Sequence, residues 1–80
     1  MQPSTLVPEI SERLALTVNG VVRTGPAGFT VADLLASLEL DGRTVVVERN
    51  GTIQRDRSSF ASLELATDDS IEIVHFVGGG

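Results

Sequence analysis

Eighty residues bound the chain to one small domain, which can build only a limited core from its 41% apolar content. With no cysteine there is no disulfide, thiolate metal ligand or thiol nucleophile, and a formal net charge of −5 disfavours nucleic acid, where Lys and Arg neutralising phosphate supply most of the affinity. No segment approaches the roughly 18 consecutive apolar residues of a membrane span and no basic region precedes an apolar stretch at the N-terminus, so a cytoplasmic protein with no membrane partner is expected.

Residues 1–13 carry Pro3 and Pro8 among scattered Ser, Thr and Glu without periodicity, and read as a flexible N-terminal arm. Leu14-Ala15-Leu16-Thr17-Val18 alternates with the period of a half-buried strand. Asn19-Gly20, both tolerant of positive φ, is a hairpin turn, and Val21 to Thr24 is the return strand, broken by Gly25-Pro26-Ala27-Gly28. Thr30 then caps a helix with Asp33 three residues on, a carboxylate form of the capping box. Val31, Leu34, Leu35 and Leu38 form its apolar stripe, and Asp41-Gly42 is the stop, with Gly42 suited to a left-handed C-terminal cap. Thr44 to Arg49 is a third strand, apolar on both faces and therefore interior. Asn50-Gly51 is a second hairpin turn, leading to the short partner Thr52-Ile53-Gln54. A polar crossing follows, anchored by Phe60, Leu63 and Leu65, and Thr67-Asp68-Asp69-Ser70 turns the chain into a final apolar strand from Ile71.

The hairpins require antiparallel pairs, while the long crossing lets the last strand lie parallel to the first in the middle of the sheet. The fold class is α+β: a β-grasp with a mixed four- to five-stranded sheet and one main helix packed on one face, spanning residues 14–77. A flexible tail, Gly78-Gly79-Gly80, projects from the central strand. Glycine has the smallest profile and greatest freedom of any residue, so the tail is a thin arm presenting one carboxylate. Alternation puts Ile71 and Ile73 in the core and Val74 and Phe76 on the open face, where an apolar patch beside the tail marks a docking site; Val77 joins them as the residue next to the glycines.

No catalytic set is present. His75 has no oriented nucleophile beside it and reads as a strand or interface residue. Asp68 and Asp69 read as a solvated turn, and Arg55 and Arg57 flank Asp56 in a small mixed-charge patch. The glycines precede no helix, so they form no phosphate loop.

Leu14 to Gly80 resembles the sulfur carrier proteins of thiamine biosynthesis, the ThiS family, which share the ubiquitin-like β-grasp fold. The matching pieces are Val18-Asn19-Gly20, Thr30-Val31-Ala32-Asp33-Leu34-Leu35, Val47-Glu48-Arg49-Asn50-Gly51 and, most specifically, Ile71 to Gly80. The resemblance implies a protein co-substrate, not an enzyme, monomeric when free and binding no cofactor of its own. The Gly80 carboxylate would attack the α-phosphate of ATP, with Mg, on an E1-like adenylating partner. A sulfur donor such as a cysteine desulfurase would open the resulting acyl-adenylate to a thiocarboxylate, which would deliver sulfur to thiazole synthase. The alternatives are the small subunit of molybdopterin synthase, which has the same chemistry, a ubiquitin-like modifier of lysines, and a non-reactive β-grasp binding module. The Val-Glu-Arg-Asn-Gly run and the third glycine favour thiamine.

Overall fold

The computed structural model describes residues 13–76; the expected arm at residues 1–12 and the positions Val77, Gly78, Gly79 and Gly80 lie outside them. Strand β1 (Arg13–Val18) and strand β2 (Val21–Pro26) form the first hairpin. Asn19 and Gly20 take φ of 50° and 82° between them, the turn whose twist matches that of its strands. Two boundaries differ from expectation. Arg13 belongs to β1, paired with Pro26, and β2 runs on through Gly25 and Pro26. Pro26 is tolerated there because β2 is an edge strand and no outer neighbour needs its missing N–H. Gly25 is required by packing: a Cβ at this position would lie 2.8 Å from the Phe29 ring.

Helix α1 (Val31–Ser37) starts as expected. The Asp33 N–H donates to Thr30 Oγ1 at 3.0 Å, and the Thr30 N–H donates to Asp33 Oδ2 at 3.1 Å. The helix buries Val31, Leu34 and Leu35. Its end is not where the sequence suggested. Leu38 is the C-cap and Glu39, at φ 61°, takes the left-handed position expected of Gly42. The Leu40 N–H donates to the Leu35 carbonyl (2.9 Å) and the Glu39 N–H to that of Ala36 (3.0 Å), the paired bonds of a Schellman end. Leu40 packs against the core, so apolar contact after the cap outweighs the strain of a non-glycine residue there. Gly42 instead opens a 3-10 turn, Gly42–Thr44, capped by Asp41.

Strand β3 (Val45–Arg49), the Asn50-Gly51 turn (φ 51° and 87°) and strand β4 (Thr52–Ile53) form the second hairpin. The crossing that follows is tied to the start of α1. Val31 N–H donates to the Leu63 carbonyl, Ala32 N–H to Phe60 and Leu65 N–H to Phe29, while Phe60 and Leu65 are buried. Strand β5 (Ser70–His75) completes a sheet of order β2-β1-β5-β3-β4. It lies parallel to β1 and antiparallel to β3. The core is the layer between one sheet face and α1: Leu16 and Val18 of β1, Val45 and Val47 of β3, and Ile71 and Ile73 of β5 against the helix stripe, closed by Phe60 and Leu65. No described helix is long and apolar enough to cross a membrane.

Candidate functional site

Central position alone does not fix β5, because β1 pairs with only its first residues, Thr17 with Ser70 and Val18 with Ile71. The two turn asparagines supply the rest. Beyond the end of β1, Ile73 N–H donates to Asn19 Oδ1 at 2.7 Å and Asn19 Nδ2 donates to the Ile73 carbonyl at 3.2 Å. An amide side chain thus continues the ladder where backbone runs out. On the other flank Ser70 N–H donates to Asn50 Oδ1 at 2.8 Å. The residues that set the hairpin turns also grip the strand bearing the tail.

Asp69, just before β5, holds the same corner. It is 6% exposed and accepts from Arg49 Nε (2.9 Å), Asn50 Nδ2 (2.9 Å) and the Ala66 N–H (2.8 Å). Burial pushes its carboxyl up. The Ala66 and Asn50 hydrogen bonds and the Arg49 charge outweigh that and hold it below the ordinary value. The expectation of a solvated Asp68-Asp69 pair is therefore corrected: Asp68 is exposed at φ 71°, while Asp69 is a buried structural anion.

From Val45↔His75 to Arg49↔Ile71 the register with β3 is continuous, and it sorts β5 by face. Ile71 and Ile73 are buried, as expected. On the open face Glu72 stands opposite Glu48 and Val74 opposite Val46, with Ile53 opposite Glu48 from the other side. Val74 is 62% exposed and Phe76 50%. His75 is exposed where the helix no longer covers the strand. Of the expected docking residues the structure therefore brings Val74 and Phe76 together at the end of β5.

Phe76 does not fold into the core. Its N–H donates to the Thr44 carbonyl at 2.8 Å, and the Arg57 guanidinium stands 5.8 Å from its ring centroid. Arg57 is the site residue that the sequence reading passed over. It lies in the 3-10 turn Arg57–Ser59, donating from Nε to the Gly42 carbonyl (3.0 Å) and from Nη2 to that of Val45 (2.9 Å). Contacts across 12 to 19 positions leave no local pattern by which to find it. Among the described residues no three His, Cys, Asp or Glu side chains gather as metal ligands. A groove of about 570 Å³ beside β2 and α1, lined by Arg23, Pro26, Phe29 and Ser37 among others, draws no residue from β5.

Comparison with known proteins agrees with this geometry. A sulfur carrier protein, ThiS, from Bacillus subtilis is 51% identical over 51 residues, covering 64% of this chain and 76% of that protein. A thiazole synthase from Paramagnetospirillum magneticum is 43% identical over 67 residues, 84% of this chain. The chain spans only 20% of that synthase's length. The crystal structure of the thiamine biosynthesis protein ThiS from Geobacter metallireducens superposes with a TM-score of 0.67 at 33% identity, covering 84% of this chain and all of that one. The profile of the ThiS family matches residues 16–80, from the core of β1 through the final glycine, and the chain belongs to that family.

Proposed function

We propose that this chain is a sulfur carrier of thiamine biosynthesis, a protein co-substrate whose Gly80 carboxylate is the group activated. One observation supports the reading above the others. In a chain of the ThiS family, a central strand is clamped on both flanks by Asn19 and Asn50, bares Val74 and Phe76 at its end, and is followed in sequence by Val77-Gly78-Gly79-Gly80. A clamped strand gives the residues after it a fixed origin.

The chemistry follows from what a carboxylate lacks. Its leaving group would be oxide, so it is a poor acyl donor. On an E1-like adenylating partner the Gly80 carboxylate attacks the α-phosphorus of Mg-ATP and pyrophosphate leaves. A sulfur nucleophile, supplied by a cysteine desulfurase or similar donor, then attacks the acyl carbon and AMP leaves, giving the thiocarboxylate. The partner provides the metal and the electrostatic stabilisation; the carrier provides the acyl carbon and the reach. Thiazole synthase is the acceptor, a reading supported by the match of this chain to one fifth of a thiazole synthase. Glycines at 78 and 79 let the arm enter a narrow site without a Cβ clash. Val74, Phe76 and Val77 form the docking contact, and the reactions run in the cytoplasm.

Pyrophosphate exchange with the adenylating enzyme tests this. Deleting Gly80 shortens the arm by about 3.5 Å, more than the roughly 0.5 Å tolerance of a positioned reaction. Appending one alanine buries the acyl carbon in a peptide bond. Both variants keep every core side chain, so both are expected to retain wild-type circular dichroism and lose exchange. Wild-type exchange by the extended variant would overturn the assignment of Gly80.

A further inference from the structure

We propose that Arg57 is a positioning residue that fixes the direction in which the reactive tail leaves the sheet, an inference that rests on the sulfur-carrier reading above. Three observations converge on it. The first is that the backbone of Arg57 is anchored. Its 3-10 turn is capped by Asp56, which accepts the Ser58 N–H at 3.1 Å. The Phe60 N–H donates to the Arg57 carbonyl at 3.2 Å, and Phe60 is itself core. The second is that the guanidinium is oriented. Nε and Nη2 fork onto the carbonyls of Gly42 and Val45, a planar two-point arrangement that an ammonium cannot reproduce. The third is that the face so oriented lies against the Phe76 ring, 5.8 Å from its centroid. The segment that holds Arg57 also holds Phe76, through the Thr44 carbonyl. Ring and backbone of the last described residue are thus referred to one piece of chain, residues 42–45.

An exposed cation over an aromatic ring stabilises a fold only weakly, so stability does not account for so complete an arrangement. Its consequence lies in geometry. Residues 77–80 reach at most about 14 Å beyond Phe76, and a change in the direction of departure is carried over that length to the Gly80 carbonyl carbon. Displacements of about 1 Å are enough to cost up to a hundredfold in a positioned reaction. Arg57 need not touch ATP or the reacting carboxylate to have this effect.

The test uses the full chain with the adenylating enzyme and reads pyrophosphate exchange for wild type, Arg57→Ala, Arg57→Lys, Phe76→Leu and the Arg57→Ala/Phe76→Leu pair. Arg57→Ala is expected to lower kcat roughly tenfold with KM within about twofold, since docked complexes form but fewer hold the carboxylate in line. Arg57→Lys, which keeps the charge and loses the fork, is expected to recover less than half of the loss. In the Phe76→Leu background Arg57→Ala is expected to change kcat by less than about twofold, because the ring through which Arg57 acts is gone. A rise in KM at unchanged kcat, or an undiminished Arg57→Ala effect in that background, overturns the proposal. The free protein gives an independent readout: the heteronuclear NOE of the Phe76 amide should fall in Arg57→Ala while those of Ile71 and Ile73 hold. If wild type supports no exchange, the sulfur-carrier reading fails. The Phe76 amide then decides alone whether Arg57 pins the strand end, and an unchanged NOE rejects it.

Discussion

Asp69 sets the residue-scale energetics of this molecule, because it brings an anion to the corner where β5 begins and satisfies it three times. Asp69→Asn replaces an acceptor oxygen with a donor amide facing Arg49 Nε or the Ala66 N–H, leaving partners unpaired at a site 6% exposed. A loss of about 2–4 kcal/mol by urea titration is expected at neutral pH. The sign of the pH dependence follows from the depressed carboxyl. A carboxyl lower in the folded than in the unfolded chain contributes fully above the unfolded value, near pH 4, and loses that contribution as pH falls through the lower folded value. The gap between wild type and Asp69→Asn should therefore be constant from pH 7 to about 5 and shrink toward pH 2. A gap that holds unchanged to pH 2 would show that the carboxylate charge is not what the corner uses. Asp41 is depressed too, to about 2, chiefly by the Arg43 side-chain hydrogen bond. It is exposed and common to both proteins, so it cancels in the difference.

Helix α1 and the two hairpins were legible in sequence because each is specified by neighbours along the chain. Leu34 lies on the periodic stripe and is 1% exposed; Leu34→Ala should cost roughly 2–5 kcal/mol, and a loss under about 1 kcal/mol would place it outside the core. The helix stop was misread for a physical reason. Gly42 has the right chemistry for a left-handed cap, but Leu40 must reach the core, and that puts the positive φ on Glu39. Glu39→Gly should therefore leave stability unchanged or raise it by up to about 1 kcal/mol, relief of strain being offset by the greater freedom of glycine in the unfolded chain. A clear loss of stability would contradict the assigned cap. The asparagines were read correctly as turns and incompletely as residues, since the bonds of Asn19 to Ile73 span 54 positions. Asn19→Gly keeps the turn's positive φ and deletes the clamp, so it isolates the part that was hidden. We expect a loss of about 1–2 kcal/mol and faster hydrogen exchange at the Ile73 amide; unchanged exchange there would mean the clamp does not hold β5.

At the scale of the whole molecule, the strand order β2-β1-β5-β3-β4 turns the last strand into the central one, so the segment that follows it is referred to the entire core. Two hairpins and a long crossing carried that topology in the sequence. The alternation of β5 carried the exposure of Val74 and Phe76. Arg57 and the buried Asp69 were not legible, because each depends on the crossing having already folded back. Phe76→Ala should weaken binding to the adenylating partner by about 1–2 kcal/mol if the ring is a principal docking contact. The central claim concerns the carboxylate itself, and mass spectrometry of protein isolated from cells reads it most directly. Cleavage after Arg57 gives a terminal peptide, Ser58 to Gly80, that contains no methionine, so methionine oxidation cannot be mistaken for sulfur. The account predicts a mass gain equal to sulfur replacing oxygen, confined to the C-terminal residue of that peptide. A Gly80 found only as free carboxylate while adenylating enzyme and sulfur donor are active, or joined to lysine through an amide, would contradict it.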